Sequence, residues 1–380
     1  NDVTLFHWRK VFLDGERSLR LFYQPFWNTM KISLYSSLIA ILLGGVVAWL
    51  VTRTNIRYKR FISVVFIFPY IMPSWTLAMA WLNFFRNRLI GGAPGLFTAI
   101  TGIATPNWFA YGIFPISVVL GLHYSPFAYI LIGGILRNMD SNLEEAAMIL
   151  KASRAKIIAK INLPIIMPAI LSTFLLVFSS SMSAFAVPAF LGTPVRFQVL
   201  TTQLYRTLNG LNPGYGYIMA VVMILIGTGI LAVNQWFVGK RKSFTTITGK
   251  SSNSSMVNLK GAKTPISLIL VVFIVAVAIL PLVTFAIESF IMAPGDYSLK
   301  NFTTQFWIGE GSEVVGGGEP GILRNKYLYL ALWNSIRLSV ITALFAGTIG
   351  GLAGYAIVRG RGTKLAAAVN NLAFFPYLLP

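Results

Sequence analysis

The sequence contains no cysteine, two histidines and only 11 acidic residues among 380. The lack of cysteine excludes disulfide bonds and thiol chemistry within the chain. The few histidines and acids show neither metal-ligand spacing nor a Ser-His-Asp arrangement, so we expect no metal site and no enzyme active site. We also expect no nucleotide site, because Phe244 stands where a phosphate-binding loop ending in Gly249, Lys250 and Ser251 needs its first glycine.

Charged residues make up 11% of the chain and hydrophobic residues 56%, whereas ordinary soluble domains are about 25% charged. Uncharged runs long enough to cross about 30 Å of hydrocarbon recur along the sequence. They are residues 33–52, 61–85, 108–136, 161–195, 214–239, 264–287 and 338–358, and another begins at Leu365. This pattern predicts an all-α protein, a polytopic bundle of membrane helices.

No acidic residue lies inside these runs, and Glu288 marks the outer boundary of one of them. Carriers coupled to protons or sodium usually keep Asp or Glu within their membrane helices, despite a cost of about 2.5–3.5 kcal/mol for each charge. An ion-coupled secondary transporter is therefore the weaker hypothesis. Transport driven by a separate ATP-hydrolysing partner is the stronger one.

Basic residues give the chain a formal net charge of +20, and they are unevenly placed. Four segments, residues 53–60, 137–160, 240–263 and 359–364, carry 18 of the 31 basic residues and 3 of the 11 acidic ones. The excess of Lys and Arg in cytoplasmic loops of membrane proteins places these segments in the cytoplasm. The positive charge is therefore mainly a topology signal, and nucleic acid is not an expected partner.

A charged hairpin at residues 141–164 separates two of the apolar runs. Apolar residues recur there with helical spacing, at Leu143, Ala146, Ala147 and Leu150. Ser141 and Glu144 fit a capping box that would start the helix. A second, basic amphipathic segment follows, and we expect Pro164 to end it. The hairpin is predicted to dock on a soluble partner, and the alternative is a cytoplasmic loop that lies on lipid headgroups.

The hairpin resembles the EAA coupling loop of ABC importer permeases. Glu-Ala-Ala at 145–147, nine residues between Lys151 and Ile161, and then Ile-x-Leu-Pro reproduce that motif. The resemblance implies a short helix seated on an ATPase subunit, with Leu163 and Pro164 fixing the hairpin to the next helix. The coupling residues that it implies are Glu144, Glu145, Ala146, Ala147, Lys151, Ile161, Leu163 and Pro164. The family usually has glycine, which tolerates positive φ, at the position of Lys151, and this leaves the angle between the two helices open.

An internal repeat relates the two ends of the chain. Trp-Asn-Thr at 27–29 recurs as Trp-Asn-Ser at 333–335, and in the same register Gly44, Gly45 and Arg53 match Gly350, Gly351 and Arg359. Phe-Pro-Tyr-x-x-Pro at 68–73 then matches residues 375–380. The repeat predicts a fragment of a fused permease with two halves of six helices. We expect a first half at 1–239 that lacks its first helix, a flexible linker at 240–264 and the truncated start of a second half at 265–380.

Several residues in the apolar runs are candidates for a translocation pathway. They are His123, Tyr124, Ser179, Ser180, Ser183, Pro69, Tyr70 and Pro73. His123 could line a pathway, but a neutral histidine bonded to a neighbouring helix is the favoured interpretation. The serines either allow close helix packing or line a hydrated pathway, and the sequence favours neither alternative. The prolines break a helix twice and could form a gate, although a simple kink is favoured for either one alone. Gly44, Gly45 and Ala48 are interpreted as packing residues.

Taken whole, the chain is similar to the fused permeases of binding-protein-dependent ferric iron importers, with residues 68–73, residues 183–192 and the hairpin as its strongest points. The resemblance implies the fold of type I ABC importer permeases, in the bacterial inner membrane. It implies a periplasmic or lipid-anchored binding protein that delivers Fe³⁺, and an ATPase dimer that holds ATP and Mg, while this chain binds no cofactor. Related permeases carry thiamine, aminoethylphosphonate or polyamines, so the substrate stays open. A membrane scaffold without transport is a third class of function.

Overall fold

The computed structural model describes residues 5–139, 142–239, 256–311 and 316–374. Over these residues the chain is helical, and the β-structure consists of two isolated bridges, Thr54 with Val257 and Ile291 with Phe302. The all-α prediction is confirmed. The chain divides into two compact units, residues 1–284 and residues 285–379.

The first unit contains most of the α-helices. They are α1 (Phe6–Phe12), α2 (Glu16–Ser18), α3 (Gln24–Arg53), α4 (Lys59–Val65), α5 (Phe68–Ile71), α6 (Ser74–Phe85), α7 (Leu96–Thr101), α8 (Asn107–Ala110), α9 (Ile113–Asn138), α10 (Asn142–Ile149), α11 (Arg154–Ile157), α12 (Leu163–Met182), α13 (Ala186–Leu191), α14 (Leu200–Leu208), α15 (Pro213–Gly239) and α16 (Lys263–Ala278). The boundary between the units falls within α17 (Leu280–Glu288), and the second unit contains α18 (Gln305–Ile308), α19 (Lys326–Arg359) and α20 (Lys364–Phe374).

Short helices of other types connect these elements. Within the described ranges, two are π-helical, Leu19–Tyr23 and Ile158–Asn162. The same ranges contain five 3₁₀ turns, at Arg88–Ile90, Thr193–Val195, Lys260–Ala262, Leu299–Asn301 and Gly316–Gly318.

Six helical segments of the described chain are long and apolar enough to cross a membrane. They are Glu16–Arg53, Asn107–Arg137, Ile158–Met182, Pro213–Ile230, Lys260–Glu288 and Lys326–Arg359. The polytopic prediction is confirmed, but the run 61–85 is not one straight helix. It forms two segments, Lys59–Ile71 and Ser74–Phe85, bent by 95°. Pro73 causes the break, because its ring forces the preceding Met72 into an extended conformation with ψ 141°.

The run 161–195 also differs from the prediction, because α12 ends at Met182 and a separate short helix, α13, follows. The expectation that Pro164 ends the preceding segment is wrong. Helical backbone continues from Arg154 to Met182 through the π-helical turn at Ile158–Asn162. Pro164 lies in the first turn of α12, directly after the π-helical turn.

The closest helix pair of the first unit is α3 with α9. A Cβ atom on Gly44 would lie 2.7 Å from the Ala128 Cβ and 2.8 Å from the Tyr129 backbone nitrogen, and would also meet the Ser125 carbonyl oxygen. The packing role predicted for Gly44 is confirmed, because only a residue without a side chain allows this approach. Gly45 has more room, with the Ile132 side chain 3.7 Å away.

One hydrophobic core cluster combines α3 and α9 with α16. Val47, Ala48 and Ile132 are buried in it together with Leu270 and Ile274 of α16. The helix that begins at Lys263 therefore packs within the first compact unit. Of the predicted linker, residues 240–255, including Gly249, Lys250 and Ser251, lie outside the described residues.

The last part of the predicted linker has a defined conformation. The Val257 N–H donates to the Arg53 carbonyl oxygen at 2.8 Å, and the Asn55 N–H donates to the Val257 carbonyl oxygen at 3.2 Å. The Asn55 side chain adds bonds to Asn258 and to the Leu259 N–H, each at 3.0 Å. Residues 256–259 are thus attached to the end of α3.

The repeat corresponds to two long helices of similar extent. Helix α3 ends at Arg53, and α19 ends at the matching Arg359. Each is followed by a helix a few residues later, α4 and α20 respectively. The final piece of the repeat, residues 375–380, lies outside the described residues.

Candidate functional site

The hairpin that the sequence predicts to couple to an ATPase consists of α10, a tight turn and α11. Lys151 adopts the left-handed conformation with φ 58° at the end of α10. Its N–H donates to the Met148 carbonyl oxygen at 2.9 Å, and the Ala152 N–H donates to the Ala147 carbonyl oxygen at 3.0 Å. These bonds form a Schellman cap. Lysine therefore takes the conformation that glycine would take more easily, at a cost of about 1–2 kcal/mol, and the turn that separates the two helices is retained.

The two adjacent acids of the hairpin have opposite environments. The Glu144 side chain is 8% exposed, and its Oε1 lies 3.3 Å from Nη2 of Arg53, whose side chain is 2% exposed. The same Nη2 donates to the Met139 carbonyl oxygen at 3.3 Å. Glu145 is exposed. Of the two acids predicted to couple to the ATPase, Glu144 is bound inside the chain, and only Glu145 is available on the surface.

The buried pair attaches the hairpin to the end of α3. Bringing two charges out of water is unfavourable, and removing one partner of such a pair commonly costs about 3–5 kcal/mol because the other charge is left buried. Arg53 also has Nε and Nη1 buried without a hydrogen-bond partner among the described residues. Among the described residues, Glu144 is the one acid that forms an ion pair with Arg53. The position of α10 and the burial of Arg53 therefore depend on each other.

A cavity of about 280 Å³ adjoins this pair. Its walls come from α3, α10, the α11 region and the last part of the predicted linker, through Trp49, Met148, Ile157 and Val257 among others. Sequence reasoning did not assign Arg53 to the site. The available signal was a charged residue at the end of an uncharged run, matched by Arg359 in the repeat.

The outer surface of the hairpin is apolar at its tip. Ile149 is 81% exposed and Leu150 is 82% exposed, and Ala146 and Met148 are exposed beside them. We call these four residues the hairpin tip. The predicted apolar stripe differs from it, because Ala147 is half-buried and Ile149 takes part instead. Ser141 and the Leu143 side chain lie outside the described residues, so the capping box stays a prediction.

The remaining motif residues lie where the hairpin joins α12. Ile161 is half-buried, whereas Leu163 and Pro164 are exposed at the start of the helix. Between them Asn162 is buried, within the π-helical turn. A continuous helical backbone connects α11 with α12, and the connection does not depend on burial of the Leu163 or Pro164 side chain.

Five of the predicted pathway residues come together in one cluster. The His123 Nδ1 lies 2.7 Å from the Pro69 carbonyl oxygen, and because a carbonyl only accepts, Nδ1 is the donor. The Tyr70 ring lies 5.8 Å from the His123 ring. The Tyr124 hydroxyl donates to the Ser180 carbonyl oxygen at 3.3 Å. This geometry favours the structural interpretation of His123, which ties α9 to the broken helix.

The other pathway candidates lie apart from these bonds. The hydroxyls of Ser179 and Ser183 are buried and have no partner among the described residues. Pro73 is exposed at the bend before α6. Among the residues described, no group of three or more His, Cys, Asp or Glu could hold a metal ion.

Comparison with known proteins identifies relatives of the chain. A putative ferric transport system permease of Haemophilus influenzae is 26% identical over 59% of this chain and 35% of its own length. A ferric transport system permease of Actinobacillus pleuropneumoniae is 26% identical over 61% of this chain and 33% of its own length. A probable ABC transporter permease of Sinorhizobium fredii is 24% identical over 93% of this chain and 60% of its own length. The chain therefore spans about a third of the two ferric relatives.

A crystal structure of a bacterial ABC transporter involved in alginate import aligns over 64% of this chain and 85% of that chain, with a TM-score of 0.49 and 17% identity. The family described as "Binding-protein-dependent transport system inner membrane component" matches residues 40–243. This match covers more than half of the 380 residues, and it includes the hairpin, the broken helix and the α3–α9 pair. The chain belongs to the family of inner membrane components of binding-protein-dependent transport systems.

Proposed function

We propose that the chain is part of the permease of an ATP-driven importer, in which separate subunits hydrolyse ATP on the cytoplasmic side. The observation that carries the proposal is the hairpin. Its inner acid, Glu144, is held by Arg53, while Glu145 and the apolar hairpin tip face outward. Such a surface suits a protein partner, because large apolar side chains gain by leaving water and an adjacent carboxylate gives orientation.

The contacts support a mechanical role for the hairpin. An ATPase that moves the hairpin tip would act on α10, and Arg53 connects α10 to α3. Helix α3 in turn packs on α9 through Gly44 without intervening space. Closely packed interiors transmit displacement rather than absorb it. Motion at the cytoplasmic surface would therefore reach both helices, with ATP and Mg bound by the partner dimer and not by this chain.

For the cargo we propose ferric iron, delivered by a periplasmic or lipid-anchored binding protein. The two ferric permeases among the relatives support this assignment. Other relatives are named for transport of sulfate, of spermidine and putrescine, and of molybdate and tungstate. Import of another solute, such as thiamine, aminoethylphosphonate or a polyamine, is the alternative with the same architecture. An ion-coupled secondary transporter is a weaker candidate.

The test changes the charge at two positions of the hairpin, the exposed Glu145 and the half-buried Ala147. We expect Glu145→Arg and Ala147→Asp to leave the protein inserted in the membrane but to reduce co-purification with the ATPase and abolish uptake. Glu310→Arg, at an exposed carboxylate of the second unit, is the matched control and should retain both. Unchanged co-purification and uptake in the hairpin variants would contradict the coupling role, and uptake that persists without any ATPase would favour ion coupling.

A further inference from the structure

A cavity of about 1180 Å³ lies in the first unit, away from the hairpin. We call it the arginine chamber. Its walls come from α2 and the π-helical turn before α3, the loop after α13, α14 and the start of α15. The residues on which the inference rests are Arg17, Arg20, Arg196, Gln203, Arg206 and Tyr215.

The chamber is strongly basic. Four arginines and a single carboxylate, that of Glu16, line it. The carboxylate neutralises little, because Glu16 and Arg20 are 3.8 Å apart and both side chains are mostly exposed. Among the described residues no carboxylate lies within 4 Å of Arg196 or Arg206. Concave basic surfaces concentrate the field and attract anions over distances of about a Debye length.

The wall that carries Arg196 is built with a specific conformation. Arg196 has a positive φ of 60°, which is uncommon for a residue with a side chain. Its N–H donates to the Thr193 carbonyl oxygen, and the Phe197 N–H donates to Gly192, each at 3.0 Å. A Cβ on Gly192 would lie 2.6 Å from the Phe197 carbonyl oxygen, so the turn requires glycine there. Strained backbone of this kind clusters at binding sites.

The remaining walls are also fixed. The Asn28 side chain donates to the Gln198 carbonyl oxygen at 2.9 Å and joins the loop to α3. The Arg17 guanidinium lies 5.7 Å from the Tyr215 ring centre, a cation–π distance. Gln203 and Tyr215 are buried and provide a polar floor. These contacts fix the backbone around the cavity, and the four arginine side chains are exposed along its walls. The cavity is slightly larger than typical small-molecule pockets of about 300–1,000 Å³.

We propose that the arginine chamber binds an oxyanion, meaning a phosphate, sulfate or carboxylate group of a small solute. Guanidinium groups form paired hydrogen bonds with such groups in a geometry that fits both partners. The proposed topology places the chamber on the outer side of the membrane. A role of the chamber in transport therefore rests on the proposed function. There it selects against cationic solutes such as polyamines, and a metal cation would reach it only with anionic ligands.

The test is a calorimetric titration of the full chain in detergent at low ionic strength. Inorganic phosphate is the probe, and spermidine is the cationic counter-probe. We expect phosphate to bind and spermidine not to bind. The double variant R20Q/R206Q, and separately Arg196→Gln, should weaken phosphate binding at least tenfold. The matched control Arg88→Gln removes the same charge from an exposed position outside the chamber and should bind phosphate like the unmodified chain.

Circular dichroism confirms that each variant is folded before its affinity is compared. Three results would each overturn the inference: no phosphate binding to the unmodified chain, equal binding of spermidine, or an equal loss in Arg88→Gln. The titration contains no ATPase and no binding protein. Absence of phosphate binding to the unmodified chain, with intact ATP-dependent uptake, therefore rejects only the chamber. Intact phosphate binding, with uptake that does not require the ATPase, rejects only the proposed function.

Discussion

Two neighbouring glutamates show how much a single residue's environment matters in this protein. Glu144 and Glu145 have identical side chains, and both belong to the predicted coupling motif. Consecutive residues of an α-helix point about 100° apart because each turn contains 3.6 residues. Glu144 therefore meets Arg53 inside the chain, and Glu145 faces outward. The motif identified the hairpin, but it did not distinguish the acid that anchors it from the acid offered to a partner.

The buried pair gives a prediction for Arg53→Gln. Loss of the guanidinium leaves the Glu144 carboxylate buried without its counter-charge, and we expect the free energy of unfolding to fall by about 3–5 kcal/mol. The hairpin should also lose its fixed position, so that ATPase co-purification declines. Denaturant unfolding in detergent and pull-down of the ATPase measure the two effects.

Arg60→Gln is the control for that substitution. Arg60 is exposed on the next helix, and its replacement removes the same charge. It should leave both stability and co-purification unchanged. Equal stability of Arg53→Gln and Arg60→Gln would show that the Arg53–Glu144 pair does not hold the hairpin.

At the scale of helices, the α3–α9 contact is the most specific packing feature. Gly44→Ala would push a methyl group into the backbone of α9, within 2.8 Å of the Tyr129 nitrogen. Overpacking of this kind commonly costs about 1–3 kcal/mol, and we expect a corresponding fall in the unfolding midpoint. Gly45→Ala is the neighbouring control, since its methyl would meet only Ile132 at 3.7 Å. If both substitutions lower the midpoint equally, the effect comes from helix propensity or another cause and not from the close approach.

The broken helix shows what proline spacing can predict. The sequence predicted two breaks around Pro69 and Pro73, and α4, α5 and α6 are indeed separate helices. The angle of 95° was not predictable. It depends on what holds the two pieces, including the bond from His123 to the Pro69 carbonyl oxygen, and that bond joins residues 54 apart in sequence.

At the scale of the whole molecule, the topology can be tested directly because the chain has no cysteine. Single-cysteine variants at Leu150 and Leu211 place one thiol on the hairpin tip and one beside the arginine chamber, at side chains that are 82% and 100% exposed. In intact cells a membrane-impermeant maleimide should label Leu211→Cys but not Leu150→Cys. After the membrane is opened and the ATPase is removed, both should react.

The unmodified chain, which has no thiol, is the control for that experiment. Labelling of Leu150→Cys in intact cells would place the hairpin outside and reject its contact with a cytoplasmic ATPase. Because positive charge on the loops underlies the predicted orientation, such a result would also remove the argument that the chamber faces outward.

The sequence by itself determined the membrane class and the helical fold, and it predicted where a charged helical hairpin interrupts the apolar runs. These follow from hydropathy, helical spacing and proline, which act on residues close together in the chain. Only the tertiary structure decided that Glu144 is buried on Arg53, that α16 packs in the first unit and that arginines from separate segments line one chamber. Those features depend on residues tens to more than a hundred positions apart, whose meeting is set by the packing of whole helices and leaves no periodic pattern in the sequence.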